Sequence, residues 1–434
     1  KSLEEITSVN TVQLNPMVKF LENFHHWRTR LFVFLAVLGP SIITTMAGND
    51  GAGVITYAVA GAQLGYIALF TLPLMTVLYA ITQEMGSRLA IVTGRGLGDI
   101  IREQFGVRTA LLCFITLLIA NFGTIITNIA ALKTSSEMLG IPSIPFIIIT
   151  IIFCFLLITR TEYEKSQKVF LTGIIFYFAY VFSAIQGKPD WGQAISGTFI
   201  PDKGMLTHEY LLISIAVLGT TITPWGQFFV QSYMKDKSVP TSRLKYAKFE
   251  AYLGAIISNV FTFFIIVATA STLFIHNITL DSGVKAALAI KPFAGDFAGV
   301  LFALGLVNAA IIGIVIVSLT SAYAFTEFFG FIGSLDEPYK KSRAFYMNFL
   351  INIILAFILV VTPWFPLFKI VLYSQALNGI LLPVFFYFVL KIINNKEIMG
   401  RYVNTKFYNV FSISATVLIA VAAVGAVIIS FIDL

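Results

Sequence analysis

The stretch Ala47-Gly48-Asn49-Asp50-Gly51-Ala52-Gly53 places a carboxylate in the middle of an apolar run that extends from Leu31 to Phe70. A carboxylate at bilayer depth costs several kcal/mol and marks a functional site by default. The glycines around it predict a broken helix whose freed carbonyls face a cavity and not lipid. We therefore favour a cation site at Asp50. The alternative is a carboxylate that pairs with a neighbouring helix.

Composition places the chain in a membrane. Its 434 residues are 57% hydrophobic and only 12% charged, whereas soluble domains carry about 25% charged residues. Apolar runs of about 20 residues recur along it, which predicts an all-α polytopic membrane protein. The net charge of +7 fits the positive-inside rule better than nucleic-acid binding. Cys113 and Cys154 both lie in apolar runs and are interpreted as packing residues.

The apolar runs predict eleven spans, near 31–60, 66–91, 109–132, 143–160, 168–186, 209–233, 250–275, 296–327, 344–362, 367–390 and 407–431. Basic residues are concentrated in alternate connecting segments, and the other segments hold only Lys133, Lys188, Lys203, Lys285, Lys291 and Lys369. This asymmetry predicts a multi-pass protein of the plasma (inner) membrane, with a cytoplasmic N-terminus and an extracellular C-terminus.

Two of these spans are interrupted. The first breaks between Gly48 and Gly53, and the sixth at Gly219-Thr220-Thr221-Ile222-Thr223-Pro224-Trp225-Gly226. Spans one and six hold matching places in two halves of five spans, so paired breaks predict a 5+5 inverted repeat with a binding site near the midplane. A proline kink without function is the alternative at the sixth span.

This organisation predicts three parts. Residues 1–30 form a cytoplasmic N-terminal segment, and residues 31–390 form a core of ten transmembrane helices in two repeats, about 31–186 and 209–390. An eleventh helix follows at 407–431. The longest connecting loops are expected on the outer side, at about 187–208 and 276–295.

Asp50 is the only acid that the sequence places at mid-span depth, and its candidate partners are polar groups of spans six and ten. These are Thr223, Gln227, the Thr220 carbonyl, Gln375 and Asn378. Gln375 and Asn378 lie three residues apart and can face the same side of a helix. Hydrogen bonding between helices is the alternative role for such residues. Met46 could supply sulfur, although core packing is the preferred interpretation.

Other motifs have simpler interpretations. Glu84 and Arg88 have the i,i+4 spacing of a helical ion pair. The run Gly94-Arg95-Gly96-Leu97-Gly98 follows a membrane helix and not a strand, so a turn is expected and not a phosphate loop. Glu327 ends span eight and is expected at the interface. The sequence contains no HExxH, CxxC or Cys/His cluster, so a zinc enzyme is not predicted.

Several motifs resemble the natural-resistance-associated macrophage protein (Nramp) family of divalent metal transporters. Gly39-Pro40-Ser41 followed by Asp50-Gly51-Ala52-Gly53 is similar to the family's GPG and DPGN. The run from Glu84 to Gly94 is close to the family ending ARLGVVTG. Thr223-Pro224-Trp225 stands where the family has Met-Pro-His, and Ser374-Gln375 matches its Ser-Gln pair. The likeness covers spans one to ten and implies a LeuT-type fold with discontinuous helices 1 and 6.

The resemblance also implies a metal site and shows how this chain departs from it. The family's ligands are Asp, Asn, Met and Gln side chains with two main-chain carbonyls. Asp50 and Gln375 are kept, and Ala47 and Thr220 stand at the carbonyl positions.

Two ligand positions differ: the family's Asn is Gly53 and its Met is Thr223. Loss of the thioether removes the soft ligand that favours Mn²⁺ and Fe²⁺, and glycine widens the site. An oxygen-lined, roomier site suits Mg²⁺, which gives up its water reluctantly. The chain therefore resembles most the Nramp-related magnesium transporter branch.

A third set of departures concerns protons. The family's His after the span-six proline is Trp225, and its span-three Asp and Glu become Asn128 and Ala131. None of these three residues can carry a proton. Transport is therefore expected to proceed without proton coupling.

Together these observations predict a transporter of Mg²⁺, with Mn²⁺ tolerated, and not an enzyme. No cofactor is expected; the partners are the divalent ion and the lipid bilayer, without nucleic acid, and the oligomeric state is left open with a monomer as one option. One alternative is an ordinary Mn²⁺/Fe²⁺ importer of the family. Another is a cation-coupled carrier of an amino acid or organic solute, in which Asp50 binds Na⁺ or an amine.

Overall fold

The computed structural model describes residues 40–160, 174–278, 280, 283–362 and 367–432, and its regular elements there are helices. The predicted N-terminal segment 1–30 and Gly39 lie outside these residues. The main helices are α1 (Pro40–Met46), α2 (Gly51–Leu64), α3 (Leu72–Thr93), α4 (Leu97–Phe105), α5 (Val107–Met138), α6 (Ser143–Arg160), α7 (Phe178–Gln186), α8 (Trp191–Phe199), α9 (His208–Thr221), α10 (Pro224–Asp236), α11 (Leu244–Thr269), α12 (Gly283–Phe329), α13 (Arg343–Val361), α14 (Leu367–Ile393) and α15 (Lys406–Ile432).

Nine helical segments in the described part are long and apolar enough to cross a membrane. One of them, Gly51–Thr93, has 43 residues. It would be about 65 Å long as one helix, roughly twice the hydrocarbon thickness. Gly65, with a φ of 62°, interrupts it between α2 and α3, so it holds parts of two crossings. The count of eleven spans stays a prediction, because the predicted first and fifth spans begin outside the described residues.

Both predicted interruptions are present. A short 3₁₀ turn, Ala47–Asn49, follows α1, and Asp50 is extended (φ −65°, ψ 177°) before α2 begins at Gly51. In the second half, α9 ends at Thr221 and α10 begins at Pro224. Proline fits the first position of a helix because its missing N–H would have no helical partner there.

The remaining long helices enclose the two breaks. α11 packs along α1, α2 and α3, and α12 packs most extensively against α5. α14 packs against α9 and α5, and α15 packs against α14. The breaks are therefore surrounded by helices that can satisfy their backbone groups, as a membrane interior requires. The boundaries of the predicted domains stay predictions.

Two predicted loops contain helices. Residues 187–208 include α8, whose first turn is capped by Asp190, which accepts a hydrogen bond from the amide of Gln193 at 3.0 Å. Residues 276–295 were also expected to be a loop, but α12 begins at Gly283. The helix was not predicted because charged residues lower the mean hydropathy of this segment.

Glu327 lies two residues before the end of α12 and is buried against neighbouring helices, and its interfacial depth stays a prediction. Glu327 is only 5% exposed, and its carboxylate accepts hydrogen bonds from Ser232 Oγ at 2.7 Å and from the amide of Gly98 at 3.1 Å. The glycine-rich run is a turn, as predicted, and a side chain at Gly96 would overlap the Glu327 carboxylate. These small residues let α4 approach α12 closely.

Glu84 and Arg88 form the predicted pair. Arg88 Nε and Nη2 donate to the two carboxylate oxygens of Glu84 at 3.0 and 3.1 Å. The guanidinium also donates to the carbonyl of Tyr402 at 2.6 Å, which ties α3 to the segment before α15.

Candidate metal site

The Asp50 carboxylate lies at the start of α2, where it is 2% exposed. Its Oδ1 accepts a hydrogen bond from the Gly53 amide at 2.7 Å, so the side chain caps the helix. Its Oδ2 accepts one from Asn128 Nδ2, on α5, at 2.8 Å. Asp50 is thus held by two neutral donors. In the described part of the chain it forms no ion pair with a lysine or arginine.

Gly53 allows the two breaks to pack closely beside this carboxylate. A β-carbon at position 53 would lie 2.7 Å from the Gly48 carbonyl and 3.4 Å from both Asp50 Oδ1 and Thr220 Oγ1. The absent side chain therefore lets a carboxylate, a hydroxyl and a carbonyl from the two breaks converge around position 53. These are the ligand types that hard divalent cations prefer.

Three buried tyrosines satisfy the freed carbonyls around the first break. Tyr57 donates to the Gly48 carbonyl at 3.3 Å, Tyr79 to the Thr45 carbonyl at 3.0 Å, and Tyr177 to the Asn49 carbonyl at 2.9 Å. Each phenol replaces a helical N–H that the break removes, so the unwound backbone is stable at this depth. Sequence patterns did not single out these residues.

Asn49 fastens the break to α11. Its Nδ2 donates to the Ser258 carbonyl at 2.8 Å, and its Oδ1 accepts from Thr262 Oγ1 at 2.9 Å. With both ends of the amide used, Asn49 is an anchor for the backbone that carries Asp50. Its place beside Asp50 in the sequence was the one signal that could have indicated this role.

The carbonyls that were predicted to face the ion lie where the half-helices end. The Ala47 carbonyl accepts the Asp50 amide at 3.1 Å, which leaves its second lone pair. Thr220 lies in the last turn of α9. The C-terminal ends of helices carry partial negative charge, so both ends favour a cation.

The second break repeats the capping pattern of the first. Thr223 Oγ1 accepts a hydrogen bond from the Gly226 amide at 3.0 Å and caps α10, as Asp50 caps α2. In both cases the donor is a glycine three residues after the cap. Thr223 is 3% exposed, which places a hydroxyl where the family pattern has a thioether.

Gln375 and Asn378 reach the site through α5. Gln375 Nε2 donates to Thr127 Oγ1 at 3.4 Å, and Asn378 Nδ2 donates to Thr124 Oγ1 at 2.9 Å. These threonines precede Asn128, the partner of Asp50, on the same helix. Asn378 Oδ1 is buried without a hydrogen-bond partner among the described residues, so it can accept from a hydrated ion.

Gln227 lies apart from this group. It is fully buried, and its Oε1 approaches Gly86 of α3, 3.6 Å from where a β-carbon would stand. Neither end of its amide has a hydrogen-bond partner among the described residues. The geometry does not bring it into hydrogen-bond contact with the residues around Asp50, and its predicted role in binding metal stays a prediction.

The three predicted proton-path positions have distinct surroundings. Asn128 touches Asp50 directly, a contact that the sequence did not predict. Ala131 packs against Gly51, where a β-carbon would lie 2.7 Å from the Ala131 methyl group. A longer side chain at position 131 would therefore need this interface to open. Trp225 is 1% exposed, directly after the second break.

The match to a family model decides the family. The model described as "Natural resistance-associated macrophage protein-like" matches residues 41–429, nearly the whole chain. This chain belongs to the Nramp family. It is accordingly a divalent metal transporter of the membrane and not an enzyme.

Curated relatives are similar over their full length. The divalent metal cation transporter MntH of Staphylococcus saprophyticus is 26% identical over 460 residues, which covers 100% of this chain and 98% of that protein. The MntH of Staphylococcus aureus is 24% identical, with 97% and 96% coverage.

Solved structures confirm the fold class. A crystal structure of a mutant of the Eremococcus coleocola manganese transporter has a TM-score of 0.70 at 18% identity, and covers 90% of this chain and 85% of that one. MhsT in complex with L-phenylalanine has a TM-score of 0.58 at 14% identity, with 91% and 98% coverage. At such identities the likeness establishes the fold alone, which is the predicted LeuT-type fold.

The close contacts of Gly53 give a direct test. We expect Gly53→Ala to weaken divalent-cation binding about tenfold, a change of about 1.4 kcal/mol, because the methyl group would lie 2.7 Å from the Gly48 carbonyl and displace the oxygen atoms around Asp50. Isothermal titration of the purified protein measures the affinity. Gly299→Ala is the matched control, since nothing lies within 4 Å of its added carbon. Equal affinities for the Gly53 and Gly299 variants would contradict the role assigned to Gly53.

Proposed function

We propose that this protein carries Mg²⁺, and tolerates Mn²⁺, across the plasma membrane without proton coupling, through a site centred on Asp50. The observation that supports this proposal most directly is the arrangement around Asp50. Its buried carboxylate lies at the first helix break, is held by neutral donors and faces oxygen atoms of both breaks. A buried charge without a cationic partner is costly, and a divalent ion would compensate it.

The charge of the site fits a transported ion better than a permanently bound one. Among the described residues, no three His, Cys, Asp or Glu side chains lie close enough to hold a metal together. A single carboxylate leaves one positive charge of a divalent ion unbalanced, and a low ligand charge lowers affinity. Weak, reversible binding allows the ion to leave on the other side.

Ligand chemistry supports Mg²⁺ over softer ions. The groups at the two breaks are the Asp50 carboxylate, the hydroxyls of Thr220 and Thr223, and the nearby carbonyls. All are hard oxygen donors, whereas the family pattern places a methionine at position 223. These features support assignment to the Nramp-related magnesium transporter branch.

The Asn128 contact supports transport without protons. An amide donates to Asp50 Oδ2 at the position where the family pattern has an aspartate. Two carboxylates at this separation would share a proton, because like charges in contact cannot both ionise. An amide stabilises the carboxylate without taking part in proton exchange. Uptake would then be driven by the membrane potential, worth about 4.6 kcal/mol for a divalent ion at 100 mV.

The proposal includes the orientation of the chain in the membrane and the parts that move. The N-terminus is placed in the cytoplasm and the C-terminus outside, according to the distribution of basic residues. Spans one and six would move against the remaining helices to alternate access. Residues 31–390 form the transporting core in this scheme, and 407–431 an added helix.

An Mn²⁺ importer is the rival within the family, since the similar Eremococcus coleocola protein is a manganese transporter. The oxygen ligands described above favour Mg²⁺ over this rival. An organic-solute carrier is disfavoured by the family assignment, although MhsT shows that a related fold holds L-phenylalanine.

Removing the charge tests the site itself. Asp50→Asn should lower Mg²⁺ uptake into proteoliposomes at least tenfold, because two unit charges 4 Å apart interact by about 4 kcal/mol at an effective dielectric constant of about 20, which also describes buried sites. Glu103→Gln removes a partly exposed carboxylate that pairs with Arg95, and should leave uptake unchanged. Normal uptake by a correctly folded Asp50→Asn protein would refute the proposal.

Position 223 tests the choice of metal. Thr223→Met should raise the ratio of Mn²⁺ to Mg²⁺ uptake several-fold, because the thioether is a softer ligand than the hydroxyl. The change also removes the cap of α10, which costs about 1 kcal/mol. Thr223→Ala loses the same cap without adding sulfur and is therefore the control. If both variants show the wild-type ratio, the oxygen-based argument for selectivity fails.

Proton coupling is tested with a pH-sensitive dye inside proteoliposomes. Mg²⁺ uptake by the wild-type protein should leave the internal pH unchanged with the membrane potential clamped. Asn128→Asp should instead make metal affinity fall as pH falls, since a shared proton would compete with the metal. Internal acidification during wild-type uptake, absent from protein-free liposomes, would show that the proposed mechanism is wrong.

A further inference from the structure

A second polar feature lies at the end of the bundle where α3 finishes and α11 and α15 begin. A pocket of about 200 Å³, here called the basic pocket, lies between these helices. It is lined by Glu84, Arg88, Lys245, Lys248, Tyr402 and Tyr408, together with two aliphatic residues and a threonine. The transport mechanism proposed above uses none of these residues.

The basic pocket carries an excess of positive charge. Arg88 donates four hydrogen bonds, to Glu84, Tyr402 and Asn404, so the one carboxylate of the pocket is already neutralised. Lys245 and Lys248 remain, and among the described residues neither has an acidic side chain within ion-pair distance. Two positive charges therefore face a shared space without a counter-ion from the described part of the chain.

Aromatic rings hold one of these lysines in place. The Lys248 ammonium lies 5.6 Å from the centre of the Tyr252 ring and 5.0 Å from that of Tyr408. The hydroxyls of these two tyrosines are hydrogen-bonded to each other. Lys248 is thus positioned at the edge of the pocket by cation–π contacts that do not neutralise its charge.

The surroundings indicate which anion fits. Large apolar side chains near the pocket on α11 and α15 are exposed: Tyr246, Phe249, Phe407 and Val410, at 62, 54, 70 and 66%. In a membrane protein such residues face lipid. The basic pocket therefore lies where the charged ends of the helices meet the lipid-facing surface. A ligand that matches both parts carries a negative phosphate and hydrocarbon chains.

We propose that the basic pocket binds the phosphate headgroup of an anionic phospholipid. Lys245 and Lys248 contact the phosphate, and the acyl chains lie against the exposed aromatic residues of α11 and α15. Basic pockets between helices at the cytoplasmic membrane surface bind such headgroups, and the positive-inside pattern places these helix ends on that side. The bound lipid joins α15, the predicted eleventh span, to α3 and α11. This inference does not depend on the transported metal.

The test compares lipid retention by the full-length protein. Protein purified with dioleoyl-phosphatidylglycerol or with dioleoyl-phosphatidylcholine is stripped with detergent, and bound lipid is counted by native mass spectrometry. We expect the wild-type chain to retain one phosphatidylglycerol and to bind it at least tenfold more tightly than phosphatidylcholine. The double variant Lys245→Gln/Lys248→Gln should lose this preference.

Control variants distinguish binding in the basic pocket from a general effect of positive charge. Lys391→Gln/Lys396→Gln removes the same charge outside the pocket and should retain the lipid. Lys245 makes no hydrogen bond, ion pair or cation–π contact with a described residue, so its loss should not disturb folding. The single variant Lys245→Gln therefore tests the pocket if the double variant misfolds. Equal retention of both lipids by the wild type, or unchanged preference in the Lys245 variants, would overturn the proposal. So would equal thermal stabilisation by inorganic phosphate in phosphatidylcholine nanodiscs, since a free anion would then be the ligand.

Discussion

A buried carboxylate in a broken helix is the constraint around which this protein is built. Asp50 cannot be exposed to lipid, and it has no cationic partner among the described residues, so its charge is stabilised by the Gly53 amide and the Asn128 side chain. The break that frees the Gly53 amide also frees backbone carbonyls. Tyr57, Tyr79 and Tyr177 donate hydrogen bonds to these carbonyls. These polar residues of α2, α3, α5 and the 3₁₀ turn Ile174–Tyr177 are thus accounted for by one charge at depth.

The second break turns this local arrangement into a site. Thr223 caps α10 with a glycine three residues later, as Asp50 caps α2, so the two repeats solve the same problem with the same geometry. One cap is charged and the other is neutral. The ends of α1 and α9 contribute partial negative charge between them. In the proposed mechanism this arrangement attracts a hard cation without holding it permanently, and the absence of a side chain at Gly53 lets the oxygen atoms of the two breaks converge.

The sequence predicted the features that depend on depth along a span. Polar and glycine residues inside apolar runs indicated both breaks, and Asp50 was evident from its position alone. Features that depend on which helices face each other were missed, such as the Asn128–Asp50 contact, because hydropathy does not define the partner of a helix face. The burial of Glu327 was missed for a related reason: the hydrogen bonds that offset its cost come from Ser232 and from the Gly98 amide of α4, which belong to distant parts of the chain. The start of α12 was missed because charged residues interrupt its apolar pattern.

The central claim is that a divalent cation binds directly beside Asp50. Mn²⁺ is the practical probe, because its anomalous X-ray scattering locates it without ambiguity in crystals soaked with the metal. The account predicts an anomalous peak within about 2.5 Å of a ligand oxygen, beside the Asp50 carboxylate and Gly53, and no such peak in Asp50→Asn crystals. A peak elsewhere in the bundle, or one that persists at this position in the variant, would contradict it.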